Sequence, residues 1–168
     1  MLNWYIYFMK TLPELYEEDQ ADRRDMALLQ DFGLITKRDA IRLKLAEAIV
    51  AKQKLLSGEE YYSLAMLYQH GSTISHSRLA VRYAKRACEM GYEKAKWLYA
   101  AAMDRLLSKQ GKSQKYGTQF IKKDTKSKWK LHPVDPTITD EERAKWNVPP
   151  IAEAKARVKR MNEEKFYP

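Results

Sequence analysis

The charged pair Asp104-Arg105 interrupts an apolar, alanine-rich stretch that is typical of a buried helix. The stretch reads AKWLYAAAMDRLLSK from residue 95 to residue 109. Burying an unpaired charge costs several kcal/mol, so these side chains must find partners or line a cavity. On a helix they point about 100° apart, and both cannot readily face water. The pair therefore indicates a functional pocket or a buried structural ion network, in roughly equal balance.

Three more blocks carry side chains suited to binding or acid–base chemistry. In chain order they are Glu18-Asp19-Gln20 with Arg23, Gln69-His70, and Gln114-Lys115-Tyr116-Gly117-Thr118-Gln119. Asp19 and Arg23 lie four residues apart and can pair on one helical face, although a solvated surface helix is the simpler alternative. The helix dipole also favours a histidine at a helix C-terminus, which gives His70 a structural explanation beside the functional one. For the 114–119 block, a plain turn is the alternative to a ligand-facing loop.

If the four blocks converge, they form one polar pocket. The ligand-binding candidates are Gln20, Arg23, Gln69, Arg105, Gln114, Tyr116, Thr118 and Gln119. The catalytic candidates are His70 as general base or acid, with Asp19 or Asp104 as the carboxylate that orients it. Arg105 and Tyr116 would then stabilise developing negative charge. The sequence has no zinc-ligand spacing, phosphate-binding glycine loop or nucleophile motif, so it predicts neither a metal nor a cofactor.

Such a pocket suits two functions, and a helical architecture suits a third. The first is binding of a small polar or anionic ligand, with nucleotide-like metabolites among the candidates, because the set is rich in hydrogen-bond donors. The second is a metal-independent, hydrolase-like acid–base enzyme that uses His70. The third is a tetratricopeptide-like module with a groove for a protein partner, which exposed Asp104 and Gln119 would favour. Whether the chain is an enzyme stays open at this point.

The same blocks resemble those of a known family. EDQxxR at 18–23, QHG at 69–71, the Asp104-Arg105 pair and YGTQ at 116–119 occur in the same order as in an uncharacterised, mainly bacterial family of domains of unknown function. DEER at 140–143 and VPP at 148–150 continue the resemblance, which covers about residues 15 to 157. It implies a common fold and a common polar set, and it implies no particular activity.

The elements that would position these blocks are mostly helical. Helix signals recur over about 11–30, from Thr36 onward and over 57–70. A fourth helix is predicted to end at residue 90, and further signals follow at 92–109, after Thr139 and at 151–165. Capping pairs mark several starts, namely Thr11 with Glu14, Thr36 with Asp39, Ser57 with Glu60 and Thr139 with Glu142. Residues 31–33 are predicted to break the chain between the first two helices. Phe120-Ile121 and 129–131 favour a short β-hairpin.

We therefore predict a single, mostly α domain over 1–168, built as a compact array of antiparallel helical hairpins. An irregular basic flap occupies 112–138, and a C-terminal helix occupies 150–165. Small residues between positions 64 and 100 resemble a Sel1-type unit of the tetratricopeptide superfamily. Only one unit and part of a second are visible, which favours an isolated hairpin within a globular domain.

Charge and composition bound the partners. The net charge is +9, and eight lysines stand against one acid, Asp124, between Lys109 and Lys130. A solvated loop is the favoured interpretation, and nucleic-acid binding is unlikely because only Trp129 interleaves with the lysines and arginine is absent there. The single cysteine, Cys88, suits a reducing, cytoplasmic compartment. The apolar segment 1–10 is too short to span a bilayer and is expected to pack on the core, with Met9 as an alternative start.

Overall fold

Helices follow one another with short connections through most of the chain. The computed structural model describes residues 10–52, 56–124 and 126–163. Its elements, in chain order, are α1 (Leu12–Arg24), a 3-10 turn (Leu28–Gln30), α2 (Phe32–Val50), α3 (Gly58–Gln69), α4 (Ile74–Glu89), α5 (Ala95–Lys109), β1 (Phe120–Ile121), β2 (Lys130–Leu131), α6 (Asp140–Lys145) and α7 (Ile151–Glu163). The prediction of a mostly α fold is confirmed. The predictions for residues 1–9, and for the last helix beyond residue 163, lie outside the described residues.

Reciprocal hydrogen bonds begin α1 and α3. The amide of Glu14 donates to Thr11 Oγ1 at 3.3 Å, and the amide of Thr11 donates to the Glu14 carboxylate at 2.7 Å. Ser57 and Glu60 exchange the same two bonds, at 3.2 and 2.8 Å. These bonds satisfy amides that have no partner within the first helical turn. Both predicted capping boxes are therefore confirmed.

The start of α2 differs from the prediction. Asp31 Oδ1 accepts a hydrogen bond at 2.9 Å from the amide three residues further on, so the helix begins at Phe32. The predicted break at 31–33 is thus wrong, because an aspartate caps a helix at least as well as a threonine. Thr36 lies inside the helix and donates its hydroxyl to the Phe32 carbonyl at 2.8 Å. Asp39, which was expected to cap with Thr36, instead forms ion pairs described below.

Three other helix boundaries differ from the prediction. α1 ends at Arg24 rather than near residue 30, because Asp25 accepts hydrogen bonds from two amides downstream, at 2.9 and 3.2 Å, and turns the chain. α4 begins just after Thr73, whose Oγ1 accepts from the amide of His76 at 3.0 Å. α5 begins at Ala95, about a turn later than the expected start. Each difference is one of length, and the element type is as predicted.

The helices α3, α4 and α5 pack as two consecutive hairpins at the centre of the fold. Their contacts are made by small buried side chains: Ala65, Ala80, Ala84, Ala87, Ala95, Ala101 and Ala102. Because alanine lets helices approach closely, the hairpins pack without large voids between them. α1 packs across α3, where Leu12 and Leu15 join Leu64 and Leu67 in the main core. The resemblance to a Sel1-type unit stays a prediction.

The flap after α5 contains the predicted hairpin. Phe120 pairs with Leu131 and Ile121 with Lys130 in an antiparallel ladder, so the short hairpin is confirmed. A bridge between Gln114 and Val134 holds the base of the flap. α7 contacts β2, where Asn162 exchanges hydrogen bonds with the backbone of Trp129, and Arg143 of α6 donates to the carbonyl of Tyr116.

Candidate functional site

A carboxylate–imidazole pair joins α1 to the end of α3. The Nδ1 atom of His70, the residue that caps α3, lies 3.1 Å from the carboxylate of Asp19 on α1. The same carboxylate accepts from Arg23 Nη1 at 2.6 Å and from Gln20 Nε2 at 2.8 Å. Arg23 also reaches α2, where its Nη2 donates to Asp39 at 2.8 Å. Asp19 is thus a buried acceptor that three side chains share.

Burial sets the protonation of this pair. Burial lowers the pKa of His70, against the hydrogen bond and charge of Asp19, and the charges of Arg23 and Arg105 lower it further. Burial raises the pKa of Asp19, but the hydrogen bond from His70 and the charge of Arg23 outweigh it, and the net shift is downward. At neutral pH the pair is therefore a carboxylate beside a neutral imidazole. An ionised carboxylate only accepts, so Nδ1 carries the ring hydrogen and Nε2 is an acceptor.

The remaining ion pairs between α1 and α2 are structural. Asp22 pairs with Arg38 at 2.6 Å and, more closely, with Arg42. Arg42 also pairs with Asp39 at 3.0 Å. Each acid here has a basic partner on the neighbouring helix, so these charges hold α1 against α2. Arg23 belongs to this network, and it acts on His70 through Asp19.

Arg105 is a mostly buried cation that is held by a backbone carbonyl. Its Nη1 donates to the backbone carbonyl of Gln69 at 3.1 Å. No carboxylate in the described part of the chain forms an ion pair with it, and its Nε is buried with no hydrogen-bond partner there. Burial lowers the pKa of Arg105, and the charge of Arg23 lowers it further. Gln69 Oε1 is likewise buried without a partner.

Lys109 lies one helical turn beyond Arg105 and extends the positive charge. Its Nζ donates to the carbonyls of Gly71 at 2.7 Å and Ser72 at 3.3 Å. Burial lowers the pKa of Lys109, and the charge of Arg105 contributes in the same direction. Two cations thus lie together, and in the described residues their hydrogen bonds go to backbone carbonyls.

A cavity of about 520 Å³ opens between α2, the 70–73 turn and α5. Its charged and titratable lining residues are Asp39, Lys44, Glu47, His70, His76, Arg105 and Lys109. The volume is typical of a pocket for a small molecule. Phe32, which is 81% exposed, lies at its edge. Of the two acids in the lining, Asp39 is paired with Arg23 and Arg42, and Glu47 accepts from the hydroxyl of Tyr68 at 3.2 Å. Neither forms an ion pair with Arg105 or Lys109 among the described residues.

Gly71 shapes the floor of this cavity. A Cβ atom at this position would stand 2.4 Å from His76 Nδ1 and 2.5 Å from His76 Cβ. Such contacts do not occur in folded proteins, so only glycine lets the His76 ring pack here. His76 Nδ1 is itself buried without a partner within the described residues.

Asp104 has a different role from Arg105. Its Oδ1 accepts from the amides of Lys115 at 2.7 Å and Tyr116 at 2.9 Å. Its Oδ2 accepts from both the amide and the hydroxyl of Thr118, each at 2.9 Å. The carboxylate is completely buried, and these four bonds occupy its acceptor capacity. It anchors the loop, and His70 takes its carboxylate partner from Asp19 instead.

The rest of the 114–119 block is held in the same way. Gln114 is completely buried, donates to the carbonyls of Gln119 and His132, and accepts from the amide of Gln119 at 2.8 Å. Gln119 Nε2 donates to the carbonyl of Ala101 at 3.3 Å. The carbonyl of Tyr116 accepts from the guanidinium of Arg143 at 3.1 Å. These contacts describe a loop fastened to α5 and α6.

The structure therefore divides the predicted site in two. His70 and Arg105 line the cavity. Asp19 contacts His70 and is bonded in turn by Gln20 and Arg23, and the Gln69 carbonyl accepts from Arg105. None of Gln114, Tyr116, Thr118 and Gln119 is among the residues that line it. We correct the expected site accordingly: Asp104, Gln114 and Thr118 use their hydrogen bonds within the scaffold and are not available to a ligand there. Buried Asp104 and half-buried Gln119 also fail to meet the condition set for an interaction module.

The sequence did not identify four of the residues that line the cavity, namely Lys109, Lys44, His76 and Gly71. Lys109 is four residues after Arg105 on one helix, so helical spacing could have identified it. Lys44 and His76 come from elements that only the tertiary fold brings to Arg105. No local pattern marks them.

Comparison with protein-family models, with curated proteins and with solved structures finds no match for this chain. Within the described ranges, no helix is long and apolar enough to cross a membrane. In the same residues, no group of three or more His, Cys, Asp or Glu side chains is arranged to hold a metal ion.

Proposed function

We propose that this protein binds a small anionic ligand, a carboxylate or phosphate compound, in the cavity between α2, the 70–73 turn and α5. The observation that carries the proposal is Arg105, a mostly buried guanidinium that lines the cavity and forms no ion pair with a carboxylate in the described part of the chain. A buried charge without a counter-charge is costly, and a bound anion would supply the missing partner. A guanidinium also matches the planar geometry of carboxylate and phosphate oxygens.

Neighbouring groups support an anion at this position. Lys109 lies one turn from Arg105 and adds a second positive charge. Gly71 and Ser72 line the same cavity immediately before α4, a helix of 16 residues whose N-terminus carries partial positive charge. In this arrangement Gln20, Arg23 and Gln69 act as supports, through Asp19 and the Arg105 hydrogen bond.

Thermal unfolding in the presence of candidate anions tests the proposal. We expect phosphate, pyrophosphate, a dicarboxylate or a nucleotide to raise Tm in a saturable way. At a ligand concentration 100 times Kd, the gain is about 2.7 kcal/mol, or about 5–10 °C for a chain of this size. Chloride at equal ionic strength controls for general salt effects. If no anion stabilises the protein beyond chloride, the proposal is wrong.

Substitution of Arg105 can be compared with substitution of an exposed arginine. Arg105→Gln should weaken binding of the best anion by about 10- to 100-fold, the range for one charged hydrogen-bonding partner. Arg86→Gln removes the same charge from an exposed site on α4, where Arg86 pairs with Glu89 and does not line the cavity, and should leave Kd unchanged. Equal losses in the two variants would show that net charge, rather than the cavity, governs binding.

A second candidate function, acid–base catalysis, is favoured by the Asp19–His70 pair. A carboxylate that fixes Nδ1–H leaves Nε2 as a base, and His70 lines the same cavity as Arg105. In such a hydrolase-like reaction His70 would take a proton from water while Arg105 stabilises the developing anion. Hydrolysis of chromogenic phosphate and carboxylate esters is the assay. His70→Asn should lower turnover by about 10²–10⁴-fold, whereas His132→Asn, in the flap, should not. Turnover that survives His70→Asn would exclude this candidate.

The compartment and the family stay part of the proposal. A reducing, cytoplasmic location is supported by the single thiol of Cys88, which is free. Membership of the uncharacterised bacterial family is supported by the shared order of the polar blocks.

A further inference from the structure

A second, smaller hollow lies between α7, the β-hairpin and the start of α5. Its volume is about 190 Å³. Trp97, Phe120 and Pro149 give it apolar and aromatic walls, and Arg157 and Arg160 bring two guanidinium groups to it. The site is distinct from the Arg105 cavity, because the two share no lining residue.

Aromatic rings continue along this face. Trp97 is 44% exposed, which is unusual for the largest apolar side chain. The hairpin register pairs Phe120 with Leu131, so two residues further on Lys122 lies opposite Trp129. Side chains two apart on a strand point the same way, and Phe120 and Lys122 therefore share a face with Trp129. Three aromatic side chains thus follow one another across the hollow and the hairpin.

Cations alternate with these rings. The guanidinium of Arg157 lies 5.0 Å from the centre of the Phe120 ring, and Lys122 Nζ lies 4.9 Å from the centre of the Trp129 ring. In the part of the chain that the structure describes, neither Arg157 nor Arg160 forms an ion pair with a carboxylate. Glu153 also lines the hollow, so the two arginines against one acid leave a net positive charge for a phosphate group. The sequence alone showed only Trp129 among the lysines; the fold adds Trp97 and both arginines from distant segments.

We propose that this face binds single-stranded nucleic acid, with one base in the hollow against Trp97 and Phe120. Arg157 and Arg160 contact the adjacent phosphates, and Lys122 with Trp129 continues the track. Strand-binding proteins combine these two features, a basic groove and rings on which bases stack. An acidic peptide would use the cations but would leave the rings without a role. A lipid surface would require a continuous apolar face, whereas here Phe120 and Trp129 each have a cation over the ring.

Fluorescence anisotropy of the full chain with labelled oligo(U) and oligo(dT) tests this proposal. Trp97→Ala should weaken binding by about 5- to 100-fold, the usual effect of removing one stacking ring, and Trp97→Phe should restore most of it. Arg160→Gln should reduce the slope of log K against log salt by about 0.7, the value for one phosphate contact with a single strand. Lys159→Gln is the matched control on the same helix, because Lys159 is 77% exposed and lies beside Glu163. It should change the slope less than Arg160→Gln does.

Four outcomes would overturn the proposal. The first is unchanged affinity in Trp97→Ala, provided that its circular dichroism spectrum and Tm match those of the wild type. The second is equal affinity for duplex DNA or for polyphosphate, neither of which offers an unstacked base. The third is equal affinity for uridine monophosphate and oligo(U), which would indicate a mononucleotide site. The fourth is binding to phosphatidylserine vesicles without binding to oligonucleotides.

Discussion

Arg105 and Asp104 are adjacent in sequence and meet opposite surroundings. The turn of about 100° between successive helical residues directs Asp104 to four donors of the 115–118 loop and Arg105 to the cavity. The aspartate is fully compensated by the protein. The arginine has a backbone carbonyl and no acid in the described chain. This asymmetry is the reason why we assign the ligand to the arginine.

His70 should titrate below its ordinary range. Burial lowers its pKa from 6.5, and Asp19 opposes that shift. We therefore expect an NMR titration midpoint below 6.5 for the His70 ring. Asp19→Asn removes the opposing charge and should lower the midpoint further. A midpoint at or above 6.5 in the wild type would contradict the arrangement.

The same titration should respond to a ligand. A bound anion near the ring favours the imidazolium, so it should raise the pKa of His70 and take up protons on binding. By linkage, affinity for the anion should then increase as pH falls through this pKa. Calorimetric titrations at several pH values measure this change in affinity. Affinity that falls on acidification in this range would argue against an anion beside His70.

At the scale of elements, one carboxylate fastens the flap to α5. Asp104→Asn leaves a single acceptor oxygen where four donors converge, and it turns an amide group toward backbone N–H groups. We expect a loss of about 2–4 kcal/mol in the free energy of unfolding, since several charge-assisted bonds are lost. Hydrogen exchange should accelerate at the amides of Lys115, Tyr116 and Thr118.

Asp25→Asn is the control for this change. Asp25 is exposed and accepts two amides in the turn after α1. An asparagine can accept the same bonds, so the change should be within about 0.5 kcal/mol. If Asp104→Asn were equally mild, the loop would not depend on that carboxylate.

Much of the element layout could be predicted from sequence, because its causes are local. The Thr11 and Ser57 caps need only a residue three positions away, and the sequence contains both partners. The start of α2 was predicted too late because Asp31 and Thr36 are both competent caps, and only packing decides between them. The site was harder to predict from the sequence. Asp19 and His70 are 51 residues apart, and no spacing rule links them.

The four blocks were expected to share one hollow, and α5 separates them instead. The 114–119 block donates to Asp104 on one side of that helix, while Arg105 opens on another. Because the Asp104-Arg105 pair lies in an apolar helix, we expected each side chain to have a partner or to line a cavity, and each does. The sequence could not determine which of the two residues would have a partner and which would line a cavity, because that depends on the rotation of α5 about its axis.

At the scale of the whole molecule, ion pairs hold α1 to α2, and the hydrogen bond between His70 and Asp19 joins them to the end of α3. Asp19 lies where α1, α2 and the end of α3 meet, and its side chain is 1% exposed. The pKa of Asp19 is below its ordinary value of 3.8, and that of His70 is below 6.5. In both cases the unfolded chain binds more protons than the folded one. Stability should therefore be complete above about pH 6.5 and decline as pH falls through both folded-state pKa values.

Urea unfolding at a series of pH values tests this dependence. Asp19→Asn should cost about 3–5 kcal/mol near pH 7, because it removes the buried carboxylate that pairs with Arg23 and accepts from His70 and Gln20. The difference from wild type should shrink at acid pH, where the wild-type carboxylate also becomes neutral. Glu89→Gln, which removes an exposed acid paired with Arg86, should change stability by no more than about 1 kcal/mol. A gap for Asp19→Asn that is constant with pH would contradict the assigned role.

The most direct test of anion binding is the NMR signal of the Arg105 Nε–H group, which is buried without a protein partner in the described chain. Its resonance, assigned with Arg105→Lys, should move downfield and saturate as phosphate or the best anion of the thermal screen is added. The Nε–H signal of exposed Arg86 serves as the internal reference and should move little. A saturable shift specific to Arg105 is the result that we predict. No shift at Arg105, or equal shifts at both arginines, would contradict an anion site in the cavity.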